Sequence, residues 1–288
     1  FALPIYDDYT PPNRGSYYMQ FFALLAMCFV SMFVGQIIAI GIASVLGIQD
    51  LGVALAEVQK GNYPALLNPL RLLMSIMHGF TFAVPALAFS YFYWRPQHFR
   101  QLYLHRLPRP SAFGWATLAV AAAIPLVVVL HYFNTLIPAD LQQQTGRELQ
   151  TALLRMDSPV DFLFTFLLIA IMAGVGEELL FRGVVQRIFA VRFGNIHLAI
   201  LFSGILFSLV HFELQAFVPR LLLSMVFGYV FYWSASLYTS IALHLIYNGI
   251  QVFAVYSTPD MATQTPTAPE LSLYLIAAGG LLLLALAV

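Results

Sequence analysis

Three short polar motifs interrupt the apolar stretches of this 288-residue chain, and the first joins two adjacent carboxylates, Glu177 and Glu178, with Arg182. Residues four apart share a helix face, so Glu178 and Arg182 can form an ion pair. Adjacent helical residues point about 100° apart, so we expect that the two carboxylates cannot both face one neighbour. Glu177 then stays less neutralised and is suited to act as a general base. The alternative is a structural Glu178–Arg182 pair that only holds two helices together.

The second motif places His211 four residues after Phe207, near the end of the next apolar stretch. Glu177 lies 16 residues before Phe193, and His211 lies 16 residues after Asn195. If two antiparallel helices turn between 193 and 195, both side chains end at a similar depth. A glutamate and a histidine at one depth on neighbouring helices can share a water molecule. The alternative is a hydrogen-bonded histidine that only packs between helices.

The third motif is formed by His244 and Asn248, which are four residues apart and share one helix face. An imidazole and a carboxamide are good donors to an oxyanion. The alternative is an interhelical hydrogen bond, worth about 0.6 kcal/mol in a membrane. His244 lies close to the turn at 236–238. It reaches the depth of Glu177 only if that turn dips into the membrane or if the preceding helix pair extends past it.

The other histidines lack such a setting and are predicted to have structural roles. His78 and His131 lie in apolar stretches with no charged residue nearby in sequence. His98, His105 and His197 lie in or beside basic loops.

The composition indicates that these motifs lie in a membrane. The chain is 60% hydrophobic and 9% charged, with a mean hydropathy of +0.81. A soluble domain carries about 25% charged residues, so this chain cannot cover a water-exposed surface of its size. Thirteen basic and thirteen acidic residues cancel, which gives no basic surface for nucleic acid. The one cysteine, Cys28, cannot form an internal disulfide.

Eight apolar stretches approach the length of about 20 residues that a membrane-spanning helix needs. They predict an all-α, polytopic membrane bundle of about eight transmembrane helices. A polar N-terminal segment, 1–20, precedes a single membrane domain, 21–288, with the motifs inside 159–257. The predicted spans are 18–47, 68–94, 111–136, 159–190, 196–212, 218–236, 238–257 and 271–288.

The fourth stretch is too long for a simple span. Asp161 to Phe193 is 33 residues, or about 50 Å of helix, whereas the hydrocarbon core is about 30 Å thick. It must either project from the membrane or break. Gly174 and Gly176 mark the weak point for a break, because glycine is a poor helix former.

The loop at 95–109 carries four arginines and places its side of the membrane, with the N-terminus, in the cytoplasm. The chain begins at Phe1 and ends inside an apolar run, so we expect the natural termini to lie outside this sequence.

Taken in order, the three motifs resemble those of the CPBP family (CAAX prenyl protease and bacteriocin-processing, also called Abi) of intramembrane peptidases. The resemblance implies that Glu177 is the base that activates water and that His211 helps to position that water. It assigns the oxyanion to His244 and Asn248 and a supporting role to Glu178 and Arg182. It also implies an all-helical bundle with a cavity open to the cytoplasm, in a bacterial inner membrane.

The resemblance allows two kinds of chemistry. A zinc ion would be held by Glu177, His211 and His244, but no His-Glu-x-x-His motif is present, and Asn248 suits oxyanion binding better than zinc. We therefore expect a metal-free glutamate mechanism with no cofactor. The expected substrate is a membrane-associated peptide or protein; family members process prenylated CAAX termini, peptide pheromones or bacteriocin-related peptides.

Three functions follow from these residues. The first is an endopeptidase that cleaves a peptide bond near the cytoplasmic membrane face. The second is a non-catalytic subunit of a larger membrane complex that retains the site. The third is a proton-coupled transporter, since intramembrane carboxylates also relay protons, although the chain lacks the internal repeat found in many transporters.

Overall fold

The computed structural model describes residues 16–62, 64–135, 149, 151–262 and 268–287, and regular structure in these ranges is helical throughout. This confirms the all-α fold class. Residues 1–15 of the predicted polar segment 1–20 lie outside the described residues. The single membrane domain over 21–288 stays a prediction.

Ten helices organise the described chain, with short 3₁₀ turns between some of them. They are α1 (Tyr17–Val45), α2 (Leu51–Gln59), α3 (Leu67–Trp94), α4 (His98–Gln101), α5 (Pro110–Thr135), α6 (Pro159–Phe193), α7 (Ile196–Leu209), α8 (Phe217–Ser234), α9 (Leu237–Ser257) and α10 (Leu271–Ala287). Eight of them coincide with the eight predicted stretches.

Five of these helices are long and apolar enough to cross a membrane: α1, α3, α5, α6 and α8. The apolar helices α7 and α10 are shorter. Helix α9 is 21 residues long but carries the polar third motif. The structure therefore supports a polytopic membrane protein with five candidate spans, and the count of eight stays a prediction.

Helix α6 runs without interruption for 35 residues, so, of the two alternatives, it does not break at Gly174 and Gly176. Both glycines serve close helix packing instead. A Cβ atom on Gly174 would lie 3.0 Å from the backbone nitrogen of Leu245 in α9, and one on Gly176 would lie 3.2 Å from Cβ of Phe82 in α3. An unbroken helix of this length extends beyond a hydrocarbon core of about 30 Å.

Three stretches of these helices widen into π-helix: Gly79–Ala83 in α3, and Leu167–Met172 and Leu179–Val185 in α6. The two stretches in α6 flank the regular turn Ala173–Glu178, which carries both carboxylates of the first motif. Such π-bulges are frequent at functional sites. Here they set the direction of the side chains between them.

Each π-helical stretch has a backbone carbonyl that accepts a hydrogen bond from a side chain of another helix. The bonds run from Ser31 Oγ to Phe80 O, from Asn248 Nδ2 to Ile169 O (2.9 Å) and from Ser203 Oγ to Phe181 O (3.3 Å). Inside a bilayer every backbone polar group needs an internal partner. These side chains therefore stabilise the distortions that surround the first motif.

The core of the bundle lies along the second half of α6, where every residue from Gly176 to Ile188 is buried. Helices α3, α7, α8 and α9 pack around this segment. Phe181 is at the centre and contacts the ring of Phe207 at 5.0 Å between centroids. The first motif thus lies entirely within a buried segment of the bundle.

Candidate active site

The structure brings residues of all three motifs together around Glu177. The Nε2 atom of His211, in the turn after α7, lies 3.7 Å from Glu177 Oε1. The Nε2 atom of His244, on α9, lies 3.9 Å from Glu177 Oε2. The similar depth that the sequence predicts for Glu177 and His211 agrees with this contact.

His244 reaches the same point because α6 and α9 have different lengths on this side of the bundle. Glu177 is followed by 16 further residues of α6 up to Phe193, whereas His244 lies only seven residues after Leu237 at the start of α9. The end of α6 therefore extends about 13 Å past the start of α9. This offset brings His244 level with Glu177, as both arrangements that the sequence allowed require, and the choice between them stays a prediction.

The predicted ion pair between Glu178 and Arg182 is present, with 2.8 Å between Oε1 and Nη1, and both side chains are fully buried. His244 Nδ1 lies 2.8 Å from the same Glu178 oxygen. The His244 ring thus lies between both carboxylates, and the expectation that Glu177 and Glu178 cannot face one neighbour was wrong. The two nitrogens of one imidazole point in different directions, so a single ring can contact two carboxylates that diverge.

Arg182 is fixed by more than its carboxylate partner. Its Nη2 donates to the backbone oxygen (2.8 Å) and the hydroxyl (3.0 Å) of Ser224 on α8. The guanidinium lies 5.0 Å from the ring of Phe207 and 5.7 Å from that of Phe227. Phe227 also stacks on His244, with 4.9 Å between ring centroids. Arg182 and its neighbours therefore hold Glu178 and His244 in place.

The hydrogen bond of His211 determines which ring nitrogen carries its proton. Nδ1 lies 2.7 Å from the backbone oxygen of Phe207, and a carbonyl oxygen can only accept, so Nδ1 is the donor. In the neutral ring, Nε2 then presents a lone pair to Glu177 Oε1. Two acceptors 3.7 Å apart cannot bond directly, but a water that donates one O–H to each satisfies both.

The same argument applies to His244. Glu178 is paired with Arg182 and is therefore an ionised acceptor, so His244 Nδ1 donates to it. Such a carboxylate partner fixes the orientation of the imidazole. Nε2 faces Glu177, and it can donate to an oxyanion only when it carries a second proton.

Asn248 lies one turn further along α9 and is half-buried. Its Nδ2 donates to Ile169 O at 2.9 Å. One of its two amide N–H groups is therefore engaged in an interhelical hydrogen bond, the alternative role that the sequence offered. Among the described residues, no bond is seen to its second N–H or to its side-chain oxygen.

Sequence reasoning missed His78, which was assigned a packing role. Its Nε2 lies 3.5 Å from Glu177 Oε1, closer than the corresponding atom of either predicted histidine. The ring also contacts Phe82, one turn later in α3, at 4.5 Å between centroids. No sequence signal marks His78, because its partner lies 99 positions later in the chain and only tertiary packing joins them.

The sequence leaves open a zinc ion held by Glu177, His211 and His244. Among the residues that the structure describes, no group of three or more His, Cys, Asp or Glu side chains is placed to hold a metal ion. The absence of a cofactor, with Glu177, His211 and His244 as the alternative zinc set, stays a prediction. No step of the chemistry below is assigned to a metal.

A helical bundle with five candidate spans and a buried cluster of glutamate and histidine indicates an integral membrane protein with a polar site among its helices. Residues 159–250 match the family model described as type II CAAX prenyl endopeptidase Rce1-like. This part of the chain thus carries an Rce1-like domain, and the match confirms the resemblance to the CPBP family. The Rce1-like family is a family of proteases. Searches of curated proteins and of solved structures give no match.

The matched region runs from the start of α6 into α9. It contains all six residues that the sequence predicted for the site: Glu177, Glu178, Arg182, His211, His244 and Asn248. His78 lies outside it, on α3.

Proposed function

We propose that the protein is an intramembrane endopeptidase in which a water held by Glu177 and His211 attacks a peptide carbonyl directly. The observation that carries this proposal is the orientation of His211. Because Nδ1 donates to Phe207 O, the lone pair of Nε2 and the Glu177 carboxylate converge on one point. A water at that point donates both of its protons and directs an oxygen lone pair away from them.

The reaction then needs one proton acceptor and one oxyanion donor. Glu177 accepts a proton from the water as the water oxygen bonds to the substrate carbonyl carbon. His244, protonated on Nε2, and the second amide N–H of Asn248 stabilise the resulting oxyanion. The carbon–nitrogen bond breaks when the proton held by Glu177 passes to the leaving amine. Glu178 and Arg182 act by fixing His244.

The exposure of the side chains supports one direction of approach for the substrate. His78 and His211 are 19% and 26% exposed, whereas Glu177 and His244 are only 5% exposed. The substrate therefore enters past His78 and His211, and its carbonyl oxygen points inward to His244. In our proposal this opening faces the cytoplasm of a bacterial inner membrane, because the loop at 95–109 carries four arginines.

A cleavage assay with purified protein in liposomes tests the proposed function. The panel contains membrane-anchored peptides with and without a prenylated C-terminal CAAX sequence, and mass spectrometry identifies the new termini. We expect at least one peptide to be cut at a single bond near one membrane face. Protein that cleaves none of them, yet purifies in a stoichiometric membrane complex, would instead favour the non-catalytic subunit.

Cleavage is also expected to be independent of a tightly bound metal. Protein purified in the presence of EDTA or 1,10-phenanthroline should keep its full rate, since Glu177 and His211 activate the water without a Lewis acid. Metal analysis of the same sample provides the second measurement. One zinc per chain that is lost together with activity, and restored with it, would contradict this mechanism.

A further inference from the structure

Three imidazoles surround Glu177, and they differ in what they can donate. Among the described residues, the nitrogens of ionisable side chains within 4 Å of its carboxylate oxygens belong to His78, His211 and His244. Glu177 itself is 4% exposed, so its oxygens depend on protein donors and on the proposed water. A buried carboxylate that lacks such donors is costly.

Two of the three rings have their Nδ1 protons engaged elsewhere. His211 donates from Nδ1 to Phe207 O, and His244 donates from Nδ1 to Glu178. In their neutral forms both rings present a lone pair to Glu177, not an N–H group. Neither can then act as a neutral donor to the carboxylate.

His78 is in a different position. Within the part of the chain that the structure describes, its buried Nε2 has no hydrogen-bond partner and no bond of its Nδ1 is seen, so nothing fixes the proton on Nδ1. A neutral His78 can carry its proton on Nε2, which is the nitrogen nearest to Glu177 at 3.5 Å. This exceeds the usual N–H···O separation of about 2.7–3.2 Å. Catalytic hydrogen bonds are often long before a substrate fills the site.

The backbone holds His78 at this position. It is the last regular residue before the π-helical stretch Gly79–Ala83. A Cβ atom on Gly176 would lie 3.6 Å from Cδ2 of His78, so α6 passes close to the ring, one residue before Glu177. The ring also rests against Phe82. The imidazole is therefore aimed at the carboxylate by packing on two sides.

We propose that His78 is a positioning residue of the peptidase site, which donates from Nε2 to Glu177 Oε1 and turns the carboxylate toward the water that Glu177 shares with His211. This inference rests on the proposed function and adds to the site a residue from outside the Rce1-like region. His78 and His211 are the more exposed side chains of the cluster, so a substrate that binds against them would shield the bond from water.

Three substitutions of His78 test this role, because their side chains place an amide N–H at different positions or lack one. Glutamine can place its amide nitrogen near the position of Nε2, whereas asparagine reaches only about as far as Nδ1. We expect His78→Leu and His78→Asn to lower kcat about tenfold to a hundredfold, as supporting residues of catalytic groups do, with KM within twofold. His78→Gln should recover kcat to within about threefold of the wild-type value.

The assay uses the full-length protein in liposomes, and a thermal unfolding curve is recorded for each variant. His197→Leu is the matched control, because His197 bonds to Tyr229 and is not assigned to the site. Wild-type kcat in His78→Leu, or a loss in His78→Gln as large as in His78→Leu, would overturn the positioning role alone. A wild-type protein that cleaves nothing overturns the proposed function and this inference together.

Discussion

Replacing Glu177 by glutamine is expected to lower kcat by about 10²–10⁴-fold, the range that a general base contributes. Glutamine has nearly the same shape, so it fills the same buried space between His211 and His244. Its carboxamide cannot accept the proton of the attacking water. The measurement is the initial rate of peptide cleavage in liposomes at saturating substrate, with KM determined in the same series.

Glu213→Gln provides the matched control for this substitution. Glu213 lies two residues after His211, in the turn before α8, and pairs with Arg220 at 2.7 Å. The same change of a carboxylate to a carboxamide close to the site should leave kcat within about twofold, because Glu213 is not assigned to the site and glutamine keeps an oxygen that can accept from Arg220. A Glu177→Gln protein that is folded and cleaves at the wild-type rate contradicts the mechanism.

Most of the candidate site could be predicted from the sequence, because the arguments that predict it use only local geometry. Run length and composition predict the helices, and spacing of four residues predicts the pair of Glu178 and Arg182, which the structure contains. Counting residues from the turn at 193–195 predicts the shared depth of Glu177 and His211. Each of these arguments needs only the geometry of one helix or of one antiparallel pair.

The features that the sequence did not predict depend on packing between distant segments. The position of His78 is set by the contact of α3 with Gly176, which no spacing rule reports. Gly174 suggested a weak point because glycine has a low helix propensity. In the structure, its missing side chain allows the backbone of α9 to pack closely against α6. Contacts between helices therefore decide the role of these residues, not local propensity.

Helix irregularity explains the remaining error, which concerns His244. The expectation that Glu177 and Glu178 diverge assumed a regular α-helix and one partner atom for each carboxylate. In the structure the regular turn that carries them lies between two π-helical stretches. The imidazole of His244 meets one carboxylate with each of its nitrogens. Neither the π-helical stretches nor the orientation of this ring has a signature in the sequence.

Replacing Arg182 by methionine is expected to reduce the free energy of unfolding by about 3–5 kcal/mol, the usual cost of removing one partner of a buried ion pair. Glu178 is 0% exposed and, among the described residues, would keep His244 as its remaining close partner. Thermal or denaturant unfolding in detergent measures the change. Arg155→Met is the control, since Arg155 and Asp157 form a pair that is 53% and 64% exposed, and the loss should stay below about 1 kcal/mol.

A double variant separates stability from catalysis at this pair. In Arg182→Met with Glu178→Leu, no unpaired buried charge remains, so most of the lost stability should return, as it does when buried ion pairs are replaced by apolar residues. Cleavage should stay low, because His244 loses the carboxylate that orients its Nδ1. Recovery of activity together with stability would show that the pair only supports the fold. Recovery of stability alone would show that Glu178 serves the site through His244.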